Sequence, residues 1–305
     1  MRRTCLQFLG LLALVVLAAV AFAVGSAAGQ SARAASPGLA IEASVRAPKQ
    51  GSVVALSIRS DHPLTSLALE QAGRALPVDG DGTGTLFRAL VGIDLDAPTG
   101  DLRLRITPVP VTGVSASIAY ALRVVSGRFA VQRLKVRAGY VDLSPELLER
   151  VRADQAAVRE VWASGEPVRR WRGPFLRPVE AEPADNFGVR RIFNGQPRAP
   201  HNGVDFRAPE GTPVVAPAEA RVAMAADLYF SGRTIILDHG AGLFTTYFHL
   251  SRIEVAAGEI VGPGRVIGAV GSTGRSTGPH LHWGARLHGA RVNPLDLLAL
   301  PDWRT

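Results

Sequence analysis

The chain has 305 residues, 47% of them hydrophobic, which is enough for two packed domains and argues against disorder. Its net charge of +8 comes from arginine, since Lys49 and Lys135 are the only lysines among 34 basic residues. These arginines are scattered rather than striped, with no helix-turn-helix, zinc-finger or single-strand-binding signature, so nucleic acid is excluded as a partner.

Met1-Arg2-Arg3 followed by the apolar run from Leu6 to Val24 reads as an export signal over residues 1–29. Ala21-Phe22-Ala23 and Ser26-Ala27-Ala28 each offer a small-residue cleavage site. Left uncleaved, the run is near the roughly 20 residues that span a bilayer and would anchor the chain in the inner membrane. Either way the working part is expected outside the cytoplasmic membrane, in the periplasm or cell envelope, with the membrane a partner only through this segment. The single cysteine, Cys5, lies inside it, which excludes disulfides and a thiol nucleophile from the mature protein.

Residues 38–138 show short runs of period two. Val54, Leu56 and Ile58 alternate with Ala55, Ser57 and Arg59, and Leu102, Leu104 and Ile106 alternate with arginine and threonine. Turn clusters such as Asp79-Gly80-Asp81-Gly82 separate them, a pattern that predicts an immunoglobulin-like β-sandwich. This half carries no catalytic signature, and His62 reads as a solvated loop residue. The sandwich is a candidate surface for a protein partner, with targeting or spacing as the alternative role.

Residues 142–185 read as a helical linker and a surface segment. Ser144-Pro145-Glu146 combines an N-cap, a proline at the first helical position and an early acidic residue. Leu147, Leu148, Val151, Val158 and Trp162 recur at helical spacing until Ser164-Gly165. This predicts one connecting helix, either a spacer or an arm over the neighbouring site. The Arg-, Pro- and Glu-rich stretch from Arg169 to Asp185 is expected to cross the surface.

Six of the seven histidines lie from His201 onwards, within a dense succession of strand patterns and glycine turns over residues 186–305. His201-Asn202-Gly203-Val204-Asp205 offers an imidazole and a carboxylate on one side of an extended segment. Further on, Gly271, Gly274 and Gly278 make a loop that leads directly into His280-Leu281-His282. On a strand that histidine pair shares a face. A histidine and an aspartate from the first segment with a histidine from the second make three N/O ligands and leave a fourth position for water, the coordination of a catalytic zinc.

The stretch from Asn186 to Pro294 closely resembles the lysostaphin-type zinc metallopeptidases, the M23 family of peptidoglycan endopeptidases. The resemblance runs through Phe187-Gly188, Pro200-His201-Asn202-Gly203-Val204-Asp205, Asp238-His239-Gly240, Tyr247-Phe248-His249-Leu250-Ser251, Gly271-Ser272-Thr273-Gly274, Gly278-Pro279-His280-Leu281-His282-Trp283 and Val292-Asn293-Pro294. It implies a mainly β fold, with an antiparallel-sheet peptidase domain after the sandwich. It implies one zinc per chain held by His201, Asp205 and His282, and His249 and His280 as catalytic histidines beside the metal. It also implies peptidoglycan stem peptides as substrate.

Asn194, Tyr247 and Arg275 are candidates for substrate contact. Tyr247, two residues before His249, is expected on its face, and Arg198 and Arg275 could attract anionic glycan or peptide carboxylates. His239 reads as a turn residue and His288 as an exposed hairpin tip. No tyrosine shortly precedes His201, where some glycine-bridge-cleaving relatives have one. Arg190, Arg191 and Asn194 stand there instead, which favours directly cross-linked stem peptides as substrate. The alternative is a catalytically silent wall-binding or activator protein, although all three ligands and both histidines are retained.

Overall fold

The structure, a computed structural model, describes residues 32–36, 38–135 and 143–303. The expected export signal lies outside these residues. Among the described residues no helix is long and apolar enough to cross a membrane.

Among the described residues nine strands build the N-terminal half. They are β1 (Ala32–Ser36), β2 (Leu39–Ala43), β3 (Val53–Ser60), β4 (Leu64–Gln71), β5 (Arg74–Leu76), β6 (Asp79–Gly80), β7 (Leu86–Gly92), β8 (Gly100–Pro110) and β9 (Ile118–Val124). They form two antiparallel sheets, ordered β1-β2-β3-β7-β6 and β5-β4-β8-β9. The alternation seen in the sequence is the inner face of the sandwich, where Val54, Leu56, Ile58, Leu104, Ile106 and Leu122 are at most 1% exposed. Burying each such side chain stabilises by about 1.5–3 kcal/mol. Strand β3 is apolar on its other side as well. Val53, Ala55 and Leu90 are buried there against Leu287, Val292, Leu297 and Trp303 of the C-terminal half.

Strand β10 (Val131–Leu134) leaves the sandwich, and the helix α1 (Pro145–Ala163) follows. The Ser144 hydroxyl accepts from the Leu147 amide at 3.4 Å and Pro145 occupies the first turn, so the start signals act as read. The stretch after the helix departs from expectation. Trp171, Phe175 and Val179 are 2–4% exposed, and Trp171 packs edge-on against Phe175 and at 5.2 Å from Trp303. These three apolar side chains outweigh the polar composition around them, Trp171 and Phe175 in the contact between the two halves and Val179 in the core of the C-terminal half.

The C-terminal half comprises β11 (Arg190–Phe193), β12 (Gln196–Pro197), β13 (Gly203–Phe206), β14 (Pro213–Val215), β15 (Ala220–Leu228), β16 (Gly232–Asp238), β17 (Leu243–Leu250), β18 (Arg252–Ile253), β19 (Ile260–Val261), β20 (Val266–Ala269), β21 (Leu281–Leu287) and β22 (Ala290–Val292), then a 3-10 helix over Pro294–Ala299. The main sheet runs β13-β21-β17-β16-β15-β19 with β22 beside β21, and all its pairs are antiparallel. One face covers a core of Val204, Phe206, Ile235, Leu237, Tyr247, Leu281 and Trp283. The other face receives α1 through Ile236 and Phe244, which meet Val161 and Trp162.

The halves are bolted together by polar contacts as well. Arg291 bridges Asp94 at 2.6 Å and Asp96 at 2.8 Å, the Asn293 amide donates to the Gly51 carbonyl at 2.7 Å, and the Val53 amide donates to Asp296 Oδ2 at 2.8 Å. Burial lifts the Asp296 carboxyl to about 6, the bond from Val53 opposing only in part. The folded chain therefore holds this proton more tightly than the unfolded one, and stability falls as pH rises from about 4 to about 6. Asp296→Asn keeps an acceptor for Val53 without the charge. It is expected to add on the order of 2 kcal/mol, a few degrees of melting temperature, near neutral pH and almost nothing near pH 4. A lower melting point than wild type at neutral pH would contradict this burial argument.

Candidate active site

Partners across an antiparallel ladder share a face, and three registers define this one. Asp205 of β13 lies opposite His282 of β21, Phe248 of β17 lies on the other side of His282, and Phe244 pairs with Arg286. Asp205, Phe248 and His282 thus stand on the sheet face that also carries α1, opposite the core face of Tyr247 and Trp283. The Phe248 ring stacks on His282 at 5.1 Å and 8°, fixing its plane. On its other side Gly203 lets the backbone approach, because a Cβ there would fall 2.5 Å from His282 Nε2.

His201 enters from the loop just before β13. Its Nε2 is 3.2 Å from Asp205 Oδ1 and 3.0 Å from His282 Nδ1, which is itself 2.9 Å from Asp205 Oδ1. The three atoms form a nearly equilateral triangle. Two nitrogens and one carboxylate oxygen at this separation fit one ion as a tetrahedral face and leave the fourth vertex open. The protonation pattern agrees. His201 Nδ1 lies 2.9 Å from the Asn186 carbonyl and must donate to it, which leaves the Nε2 lone pair aimed at the triangle. Burial alone would raise Asp205, but the hydrogen bonds and charge of His201 and His282 outweigh it and hold the carboxyl well below the usual range. The group is anionic, as a metal ligand must be.

Asn186 joins two of these ligands and is a functional residue that the sequence did not single out. Its carbonyl accepts from His201, its Nδ2 donates to Asp205 Oδ2 at 2.8 Å, and its Oδ1 accepts from the Asp205 amide at 3.2 Å. The backbone carbonyl fixes the imidazole, and the side chain turns Oδ1 of the carboxylate towards the triangle. Asn186→Ala is expected to weaken metal binding about 10- to 100-fold with the fold retained. Competition with a chromogenic chelator measures this, and an unchanged affinity would remove Asn186 from the metal site.

His249 and His280 flank the triangle. Their rings are 4.8 Å apart, and His280 Nε2 is 3.9 Å from Asp205 Oδ1. In each the Nδ1 faces a carbonyl at 2.8 Å, Thr273 for His249 and Gly278 for His280, so each donates from Nδ1 and keeps a lone pair on Nε2. Burial pushes His249 down to about 4. Both carbonyls belong to the glycine loop, which is pinned where Gly274 passes so close to the Gly232 amide that a Cβ would collide.

His249 differs from the expectation of a shared face with Tyr247. Its φ of 64° is left-handed and turns the side chain off the alternation of β17, while its amide donates to the Ser231 carbonyl at 2.8 Å. Tyr247 stays on the core face, fully buried, with its hydroxyl 2.8 Å from Thr245 Oγ1. It packs and does not reach substrate. His239 continues that chain through Nε2 to Thr245 and Nδ1 to the Glu219 carbonyl, and burial lowers it to about 4. It is a core residue rather than only a turn former.

His288 is half-buried rather than an exposed tip, because Arg74 of the sandwich hydrogen-bonds its carbonyl. Asn194 occupies the β11–β12 turn with φ 49°, and Arg275 lies 4.2 Å over the Phe230 ring at the rim of the site.

An antiparallel sheet that presents two histidines and an aspartate to one ion, beside two more histidines with free Nε2 atoms, defines the C-terminal half as a metallopeptidase domain. Residues 199–294 match the model of peptidase family M23. It is 48% identical over 101 residues to the DD-carboxypeptidase/endopeptidase Mpg of Neisseria meningitidis, a match covering 33% of this chain and 23% of that protein. It is 42% identical over 113 residues to the peptidoglycan DD-endopeptidase ShyA of Vibrio cholerae, covering 37% and 26%. The chain therefore spans well under two thirds of the length of these relatives. A solved Pseudomonas aeruginosa structure assigned to peptidase M23 aligns over 82% of this chain and 95% of that one, with a TM-score of 0.64 and 29% identity.

Proposed function

We propose that the protein is an exported zinc endopeptidase that hydrolyses peptide cross-links of peptidoglycan, of the DD type named for the Neisseria and Vibrio relatives. The observation that carries this reading is the convergence of His201, Asp205 and His282 next to His249 and His280. The basic start and apolar run of residues 1–24 support export.

His201 Nε2, Asp205 Oδ1 and His282 Nδ1 would hold the zinc, with Asn186 and Phe248 fixing their orientation. When bound, zinc supplies Lewis-acid activation of water and of the scissile carbonyl. The chain supplies the proton transfers. A neutral histidine with Nδ1 tied to a carbonyl has its Nε2 available to take the proton of the attacking water, and in its charged form can return it to the leaving amine. The second histidine, once protonated at Nε2, can stabilise the tetrahedral oxyanion by donating from that atom. Two histidines set against one ion fit both tasks.

Digestion of purified peptidoglycan, with muropeptides resolved by mass spectrometry, tests the reading. Cross-linked dimers are expected to fall and un-cross-linked peptides to rise, with activity removed by chelator and restored by zinc. An unchanged cross-link profile with zinc-loaded protein would sink the assignment and leave the silent wall-binding alternative.

A further inference from the structure

Alternation along β11 sends Arg190 towards the sandwich, where it pairs with Asp96 at 2.6 Å and lies over the Phe129 ring at 5.8 Å. It therefore sends Arg191 to the opposite side. The Arg198 amide donates to the Arg191 carbonyl at 2.8 Å, continuing the register of Ile192 with Pro197, so the two arginines are cross-strand neighbours on one face. This hairpin runs beside the metal site, since His201 exchanges backbone bonds with Gly188 and Val189. It is held in place by β10, which adds a parallel strand along β11.

Arg275 stands in the glycine loop whose carbonyls hold His249 and His280. Its amide donates to the Phe230 carbonyl at 2.8 Å and its guanidinium stacks on that ring. Burial lowers its proton affinity first, and the charges of Arg198 and Arg191 lower it further.

Like charges facing one another in a hairpin are destabilising, and several other arginines of the C-terminal half are paired with carboxylates. Arg190 has Asp96, Arg252 has Glu254, and Arg291 has Asp94 and Asp96. Among the described residues no carboxylate is within ion-pair reach of Arg191, Arg198 or Arg275; the one polar side-chain partner is Gln196, whose Oε1 accepts from Arg198 at 3.0 Å. Three guanidiniums without a carboxylate partner thus stand on the two segments that flank the site, Arg191 and Arg198 on the hairpin joined to His201 and Arg275 in the loop whose Thr273 and Gly278 carbonyls hold His249 and His280.

We propose that Arg191, Arg198 and Arg275 form a carboxylate-binding rim, which selects peptides bearing a free carboxylate near the bond to be cut over the same peptides amidated there. The inference rests on the endopeptidase reading and names the substrate class within it. A guanidinium fork recognises a carboxylate through two parallel hydrogen bonds, and an amide offers it only one acceptor and no charge. A substrate anchored at Arg275 is held two residues from Thr273 and three from Gly278. Its carboxylate would thus fix the register of the peptide against the histidines.

The test uses the full zinc-loaded protein and an un-cross-linked product peptide, which binds without being turned over. The peptide is prepared with all carboxylates free, with only the C-terminus amidated, or with only the side-chain carboxylate amidated. One of the amidated forms is expected to bind about tenfold more weakly, and which one identifies the carboxylate that is read. The difference should shrink in high salt and fall below about twofold in the Arg198→Gln/Arg275→Gln double variant, with partial recovery in Arg275→Lys.

Equal binding of all three peptides by the wild-type protein, or a preference that survives the double variant, would overturn the rim. Hydrolysis of cross-linked dimers is scored in parallel. Cleavage without carboxylate preference defeats the rim and leaves the endopeptidase standing. Preference without cleavage does the reverse.

Discussion

Asp205→Ala is expected to yield a folded protein that retains no stoichiometric zinc and releases no more un-cross-linked peptide than a buffer control. In the proposed site Asp205 supplies one of three ligand atoms and the only negative charge among them, and its Oδ1 lies within 2.9–3.2 Å of the two nitrogens of His201 and His282. Without it two neutral imidazoles remain, and a divalent ion loses both a bond and its charge partner. Hydrolysis should fall on the order of a thousandfold or more.

Asp205→Asn separates the two contributions. The amide keeps the volume and can still meet Asn186, but it lacks the charge that the site is built to hold, so zinc should be weakened here too. Zinc content by mass spectrometry, with a thermal melt as control for folding, reads both variants. Full zinc occupancy in Asp205→Ala together with unimpaired digestion would show that the metal sits elsewhere. The melt matters because metal-free Asp205 also hydrogen-bonds His282 at 2.9 Å and lies 3.2 Å from His201. Some loss of stability in the apo variant is expected and does not count against the assignment.

How far the sequence discloses such a site depends on whether a residue obeys its local rule. Ser144, Pro145 and Glu146 follow the capping rules, so the start of α1 can be read directly. Val54, Leu56 and Ile58 alternate and predict a strand, but the adjacent Val53 and Ala55 are buried by the other half of the molecule, which no local period announces. Trp171, Phe175 and Val179 are hidden in an Arg- and Pro-rich stretch because three apolar side chains suffice to bury a segment whose average is polar.

The same division holds within the site. His201, Asp205 and His282 come from short motifs with even spacing, and the sheet joins them because β13 and β21 are neighbours. Asn186 gives no such signal. Its role rests on one backbone carbonyl and one amide side chain, and only the fold brings them to His201 and Asp205. His249 breaks alternation, so period two places it on the wrong face. The left-handed φ that corrects this is invisible in Tyr247-Phe248-His249.

That backbone gives the second large expected effect. His249→Ala and His280→Ala should each keep zinc and lose about 100- to 10,000-fold in turnover, the range for a removed acid–base group. The double variant should lose little beyond the worse single one, because in the proposed mechanism the acid–base histidine and the oxyanion donor act in the same step. Multiplicative losses would instead assign the two histidines to independent steps.

At position 249 stability and activity should also separate. A non-glycine residue at φ 64° pays roughly 1 kcal/mol for its Cβ, a cost that glycine does not carry. Neither Ala nor Gly can make the bond from Nδ1 to Thr273, so comparing them isolates the backbone. His249→Gly is expected to be about 1 kcal/mol more stable than His249→Ala, the reverse of the usual order within a strand, while both are equally inactive. Chemical denaturation of the two variants decides it. If alanine is the more stable, the left-handed conformation relaxes once the imidazole is gone, and the conformation is imposed by the bond to Thr273. If glycine is, the chain sustains the strained backbone to aim the imidazole at the reacting bond.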